Sequence, residues 1–315
     1  MFGKKKISVV TPCYNEESNI DELCDRVKSQ LEKYNDKYDY EHILIDNCST
    51  DGTVQKLRDL AQKDKKIKVI LNSRNFGHIC SPFYGIVNAT GDAVILIVAD
   101  LQDPPELICE FIDKWEQGYK MVLAVKNQSK ENPLMFLVRK SFYFLINRIA
   151  DDNTELIKNF SGFGLYDKKI TTLFKENDDP CPYLRGLVSD VGFEKAIIPF
   201  VQPSRKRGIT KNNFYTLYDN AMVGIIKHSK VPLRVMTFAG FLLSLLSMTF
   251  ALLYLIYKLL FWDNFEIGMA PVVIGLFFFS SVQLFSMGIL GEYIGAIYTR
   301  VSKKPLVVEK ERINF

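Results

Sequence analysis

The chain has 315 residues, 48% of them apolar, enough to bury a core in one large domain or two modest ones. A net charge of +4, with no basic run interleaved with aromatics, gives no argument for a nucleic-acid partner. Six cysteines without a CxxC pair point away from a disulfide scaffold or a zinc site and fit ordinary thiols in a reducing compartment.

The N-terminus runs directly into a β-branched stretch at 7–10 with no apolar signal segment ahead of it, so membrane insertion is expected to use later segments. Thr11-Pro12-Cys13-Tyr14-Asn15-Glu16-Glu17 breaks that stretch before an amphipathic helix over 20–31. The break sets Tyr14 and Glu16 at the strand's carboxyl edge, where an aromatic face and a carboxylate suit a base and a ribose. A plain βα loop with Glu in the first helical turn is the other reading. A second unit repeats the grammar: strand 42–45, turn-rich loop 46–53, helix 54–61. Asp46 ends its strand at the same edge, and Asp51 reads as the helix cap. A third strand at 67–71 leads through Asn72-Ser73-Arg74-Asn75-Phe76-Gly77 into a helix ending near Gly91.

The apolar run 94–98 then predicts a buried parallel strand, followed by Asp100, Gln102 and Asp103 and by a helix opened at Pro104-Pro105. A carboxylate beside a side-chain amide at such an edge suits a hard divalent cation carrying a diphosphate; a capped strand-to-helix turn is the alternative. Asp103 reads either as an orienter behind that cation or as the cap. The alternation predicts an α/β fold with a doubly wound, mostly parallel sheet. Neither GxGxxG nor GxxxxGK[ST] follows any strand, which counts against a Rossmann dinucleotide domain and a P-loop NTPase. Phosphate then has to be handled at the acidic edge through a metal.

Beyond a strand at 121–125, Arg139, Lys140, Asn147 and Arg148 form one polar stripe in an otherwise apolar segment over about 132–150. That is the pattern of an in-plane interfacial helix, with a helix packed on the domain core as the alternative. A strand-like run at 193–200 follows, flanked by Arg185 on one side and by Arg205, Arg207 and Lys211 on the other. These four read either as a solvated, lipid-facing charge run or as a clamp on the phosphate of a membrane-bound substrate. A second amphipathic stretch, about 213–228, leads to two charge-free segments, 235–257 and 267–291, each long enough to cross a bilayer. His228, Lys230 and Arg234 precede them and Arg300, Lys303 and Lys304 follow, while the loop between holds Asp263 and Glu266. Both flanks are therefore expected in the cytoplasm. The expected organisation is a cytosolic domain 1–230, a two-helix transmembrane region 231–298 and a cytosolic tail 299–315, multi-pass in the cytoplasmic (inner) membrane.

In this order and nearly end to end, VVTPCYNEE, IDNCSTDGT, NSRNFG, ATGDAV, ADLQDPPE, YLRGLVSDVGF, RKRGITK, VPLR and GEYIGAIYTRV resemble the family 2 glycosyltransferases of the polyprenyl-phosphate branch. That branch holds the bactoprenol glucosyltransferases and dolichol-phosphate mannose synthases. The resemblance implies a nucleotide-diphospho-sugar transferase fold and a nucleotide sugar as donor, UDP-glucose or another UDP-hexose. The acceptor is a polyprenyl phosphate such as undecaprenyl phosphate, glycosylated with inversion for cell-envelope glycan modification. On matching positions it implies Pro12, Tyr14, Glu16 and Asp46 for the nucleoside and Asp100 with Gln102 for Mg²⁺ or Mn²⁺. Val98 stands where the common Asp-x-Asp has its first Asp, Asn47-Cys48 where Asp-Gly is more usual, and His78 where a basic residue often follows Asn-Phe-Gly.

A phosphate monoester, with a second pKa of about 6, is substantially dianionic at neutral pH and needs no general base to attack an anomeric carbon. A processive polysaccharide synthase should show a QxxRW-like motif and more spans, and neither is present. A non-catalytic scaffold on a degenerate transferase fold would explain Val98 and Asn47, but Asp46, Asp100, Gln102 and Arg205 are all retained. Oligomeric state, a homo-oligomer included, is not legible in the sequence.

Overall fold

Short aliphatic runs, each closed by a polar turn, build the centre of one sheet. The computed structural model describes residues 4–127, 157–177, 179, 182–203, 231–261, 269–302 and 304–315. Its elements are β1 (Lys5–Cys13), α1 (Ile20–Glu32), β2 (Tyr38–Asp46), α2 (Thr53–Lys63), β3 (Ile67–Asn72), α3 (Gly77–Asn88), β4 (Ala93–Leu96), α4 (Leu107–Glu116) and β5 (Met121–Lys126). There follow β6 (Phe160–Asp167), α5 (Lys168–Glu176), α6 (Leu184–Asp190), β7 (Lys195–Phe200), α7 (Val231–Leu260), α8 (Met269–Val301) and β8 (Glu309–Ile313). The strand order is β7-β5-β6-β4-β1-β2-β3-β8. Strands β1 to β5 and β7 all run one way, and β6 and β8 run against them, so the sheet is mixed around a parallel centre.

Both faces are covered. Ile20, Leu23 and Val27 of α1 are fully buried at helical spacing and, with Leu57 of α2 and Phe111 of α4, seal one face. Burying each such side chain is worth roughly 1.5–3 kcal/mol. Phe83 and Ile86 of α3, Ile170 and Phe174 of α5 and Val188 of α6 seal the other. The β6 strand reads FSGFGLYD and has no strand-like apolar run; its glycine at 164 is required because a Cβ there would lie 2.4 Å from the Val122 carbonyl oxygen.

Helices α7 and α8 contain Val231–Tyr257 and Ile274–Val301, long and apolar enough to cross a membrane. Large apolar side chains point outward along both, Phe238 at 78% and Phe285 at 70% exposure. Such continuous exposure is untenable in water for a soluble monomer. At 1.5 Å per residue the 33 residues of α8 extend about 50 Å, well beyond a hydrocarbon core of about 30 Å. Glu292 opens the stretch of α8 beyond the charge-free segment. The segment expected as a tail contributes β8, which pairs antiparallel with β3 at the sheet's edge. The amphipathic stretches near 132–150 and 213–228, and Arg205, Arg207 and Lys211, lie outside the described residues.

Candidate active site

Parallel pairing aligns Cys13 with Asp46, Asp46 with Leu71 and Val10 with Leu96, so the turns after β1, β2, β3 and β4 leave one common edge. Three of those turns each hold a non-glycine residue in the left-handed region: Asn15 at φ 56°, Cys48 at 65° and Leu101 at 59°. Such backbone costs an L-residue about 1–2 kcal/mol, and it persists only where surrounding contacts impose it.

For Asn15 and Cys48 those contacts are mutual. The Asn15 N–H donates to Ser49 Oγ (2.9 Å), and the Thr50 N–H donates back to Asn15 Oδ1 (2.8 Å). Asp46 fixes the same loop, accepting from Ser49 Oγ (2.5 Å) and Ser49 N–H (3.0 Å). Asp46 is 1% exposed; burial pushes its carboxyl up, and the Ser49 bonds draw it back only in part. Both carboxylate oxygens are thus engaged in shaping the loop that a nucleoside would meet. Asp51 accepts from the Thr53 N–H (3.1 Å) and hydroxyl (2.6 Å), but the cap position of α2 is Gly52, which carries no side-chain cap bond, so Asp51 stands one residue outside the cap expected of it. Beside this loop the Glu16 N–H donates to Thr53 Oγ1 (3.0 Å) and Glu16 Oε2 accepts from Asn19 (2.7 Å). Pro12 pairs opposite Ile45, and Pro12, Tyr14 and Glu16 are all half-buried. The four residues assigned to the nucleoside therefore share one edge.

The turn after β4 brings Asp100 and Gln102 together through Leu101, with the Gln102 N–H donating to Asp100 Oδ1 (3.1 Å). Both are half-buried, and Asp103 behind them is 3% exposed. Of the two readings of Asp103, the cap is not realised: α4 starts at Leu107 without a side-chain cap, and the Asp103 carboxylate turns back to the Val98 N–H (3.5 Å). Burial pushes Asp103 up to about 7; the Lys126 ammonium pulls it down and the Asp100 charge pushes it up. Among the described residues no group of three or more His, Cys, Asp or Glu side chains gathers to cage a metal. A half-buried carboxylate with a neighbouring amide is still a fitting hard-oxygen set for Mg²⁺ or Mn²⁺, which keep most of their shell for water and phosphate. Arg185 lies on α6, whose Leu184 packs, together with Leu96 at the end of β4, against the space beside Gly162. That places α6 at the same end of the sheet.

Cys13 and Cys24 are buried thiols. The five cysteines among the described residues form no disulfide, and burial pushes Cys24 up to about 12 and raises Cys13 well above its usual range, so neither of these two is a nucleophile at neutral pH.

Residues 8–173 match the family described as Glycosyl transferase family 2. Over 302 residues the chain is 36% identical to the uncharacterized glycosyltransferase sll0501 of Synechocystis sp., covering 96% of this chain and 93% of that one. The chain belongs to glycosyl transferase family 2. The transferase is also 33% identical over 307 residues to the SfII prophage-derived bactoprenol glucosyl transferase of Shigella flexneri, covering 97% and 98% of the two chains. Among solved structures it is similar to the mannosyltransferase PcManGT of Pyrobaculum calidifontis in complex with GDP-Man and Mn²⁺. That likeness has 16% identity and a TM-score of 0.48, over 96% of this chain and 89% of the other.

Two residues of the transferase take on a role that only the structure shows. Asn47, 6% exposed, donates to Asn75 Oδ1 (2.9 Å) and the Gly77 carbonyl (3.1 Å) and accepts from the Phe76 N–H (2.9 Å) and Asn72 Nδ2 (3.2 Å). The backbone donor and acceptor fix its amide orientation, and an Asp at 47 could not donate. The departure from the family's usual residue is thus a working joint between the β2–α2 and β3–α3 loops. Lys126, last in β5, puts a positive charge near Asp103. A lysine closing the apolar run MVLAVK was the available signal.

Proposed function

We propose that this glycosyltransferase moves a hexosyl group from a nucleoside-diphosphate sugar, UDP-glucose or another UDP-hexose, to the phosphate of a polyprenyl phosphate such as undecaprenyl phosphate. The observation that carries the reading is the meeting of the Asp46 loop and the Asp100–Gln102 turn at one sheet edge, in a chain that also has two bilayer-length helices. Names of relatives, bactoprenol glucosyl transferases among them, support the lipid acceptor.

Tyr14, Glu16 and the loop shaped by Asp46 hold the nucleoside, and Asp100 with Gln102 would hold Mg²⁺ or Mn²⁺. When bound, that cation supplies positive charge to the departing diphosphate. One oxygen of the acceptor phosphate forms a bond to the anomeric carbon as the bond from that carbon to the diphosphate oxygen breaks, which inverts the centre. The dianion carries no proton to remove, so the protein's task is alignment and charge neutralisation. Arg185 is offered for the acceptor phosphate from α6. Strand β7 ends at the same edge, and Arg205, Arg207 and Lys211 follow it in the chain.

The reading places the protein in the cytoplasmic membrane with the sheet on the cytoplasmic side. Because β8 pairs with β3, the chain leaves through α7 and returns through α8 to the same sheet. That return supports reading the two helices as a hairpin that crosses twice. The test is to incubate membranes with a panel of radiolabelled nucleotide sugars and undecaprenyl phosphate and to count the extracted lipid. Label from a UDP-hexose is expected, reduced by orders of magnitude in Asp100→Asn and by EDTA. No labelled lipid with any donor sinks the acceptor assignment, and full activity with EDTA sinks the metal.

A further inference from the structure

The segment that follows α8 does more than close a sheet edge. Glu309 stands opposite Asn72, the last residue of β3, and the Ser73 N–H donates to the Val308 carbonyl (2.9 Å), so the return segment lies against the start of the β3–α3 loop. The register shifts there, Leu71 facing Glu311 and Asn72 facing Glu309, which leaves Lys310 as the extra residue of a bulge at the level of the candidate site. From Asn72 the contacts run on into the donor edge. Its Nδ2 donates to Asn47 Oδ1 (3.2 Å) and to Ser81 Oγ (3.1 Å), and Asn47 grips the Phe76 N–H, Asn75 and the Gly77 carbonyl. Asn47 directly follows Asp46. The far end of β8 is tied as well: Asn314 Nδ2 donates to the Ala61 (2.7 Å) and Ile67 (2.8 Å) carbonyls, and Arg58 pairs with Glu311 (2.5 Å). Phe315 lies under the cations of Lys68 (4.8 Å) and Arg312 (4.6 Å).

We propose that β8 is a positioning element for donor binding: the strand beyond the second apolar helix holds the β3–α3 loop, and through Asn72 and Asn47 it sets the loop that carries Asp46. This rests on the reading of the Asp46 loop as the nucleoside site. Only a short linker separates Val301, the end of α8, from Val308, so the anchor and the donor loop are mechanically joined. Asn72 and Asn47 act here as positioning residues and need not touch the substrate.

The test uses the full chain in nanodiscs beside a variant lacking residues 308–315, with calorimetric titration of UDP and separate steady-state kinetics for donor and acceptor. The deletion is expected to raise the UDP Kd and the donor KM at least tenfold while the acceptor KM stays within twofold. Asn47→Asp, with β8 intact, should show the same donor-selective loss, and combining it with the deletion should add little, because both break one relay. A synthetic peptide of residues 306–315 should restore part of the affinity of the deletion variant. Arg58→Ala with Asn314→Ala keeps every strand residue, and a smaller loss of the same kind is expected even if the deletion variant does not accumulate. The proposal is overturned if UDP affinity stays within twofold in the deletion or in that double variant, if the deletion and Asn47→Asp losses are fully additive, or if acceptor KM rises as much as donor KM. An Asp46→Asn control separates the causes: if it too binds UDP normally, the donor-site reading itself fails.

Discussion

Glu41 of β2 is the most heavily engaged carboxylate in the described sheet, and it lies away from the candidate site. Its exposure is 1%, and it pairs with Lys6 (2.7 Å) and Lys68 (2.8 Å) on the two flanking strands. It also accepts from Ser8 Oγ (2.6 Å) and from the Thr90 N–H (3.0 Å) and hydroxyl (2.9 Å). Burial alone pushes this carboxyl up, but the two ammonium groups with Ser8 and Thr90 outweigh it and hold the group at about 2. The fall from 4.5 corresponds to roughly 3 kcal/mol at 1.36 kcal/mol per unit, and the wetter lysine ends reduce this to about 2–3 kcal/mol. Because the folded value is the lower one, this stabilisation is complete above about pH 4.5 and is lost as pH falls towards 2. Glu41→Gln keeps the acceptor oxygen and the shape while leaving two lysines unneutralised. Chemical denaturation of the purified protein should find it about 2–3 kcal/mol less stable at pH 7, with the gap to the parent roughly halved near pH 3. A gap that is the same at both pH values, or below about 0.5 kcal/mol at pH 7, would refute the argument.

Three further outcomes are expected. His42, bonded to Thr11 Oγ1 (2.9 Å) and held by burial at about 4, takes up its proton more readily when unfolded, so the parent should lose stability as pH falls from about 6.5 to 4. His42→Gln should flatten that part of the curve, and an unchanged slope would assign it elsewhere. A cysteine placed at Asn264 should react with an impermeant reagent from outside intact cells while one at Ser302 does not; the reverse pattern overturns the hairpin's orientation. Arg205→Ala and Arg207→Ala should each weaken use of polyprenyl phosphate by roughly ten- to a hundredfold and leave UDP binding near normal, with Asp46→Ala doing the opposite; equal loss of UDP binding in both sets would move these arginines to the donor diphosphate.

What could be read in advance was what is local. The runs at 7–10, 42–45, 67–71 and 94–98 are mostly aliphatic, largely buried and end in polar turns, so the strands, their common edge and the positions of Asp46 and Asp100 followed from the apolar pattern, although β4 itself stops at Leu96. The β6 strand was not legible because Gly162 and Gly164 interrupt its apolar pattern; Gly164 serves a close backbone approach that only the neighbouring β5 explains. The β8 strand, EKERI, reads as a charged solvated segment, since an edge strand takes its shape from its partner. Asn47 looked like a missing carboxylate because its partners lie 25 to 30 residues away. Asp103 could be an orienter or a cap from spacing alone, and the late start of α4 excluded the cap.

The pairing of β3 with β8 also bears on how the chain is made. Ile67 is translated about 240 residues before Ile313, and β3 has no partner on its outer side until the last strand emerges. At roughly 5–20 residues per second, that edge stays open for about ten to fifty seconds, a ready template for pairing with another chain. With α7 and α8 crossing the membrane as proposed, their insertion would fall within this interval. Slow or failed insertion would then prolong the exposure of that strand edge, and aggregation through β3 is the expected fate of such stalled chains.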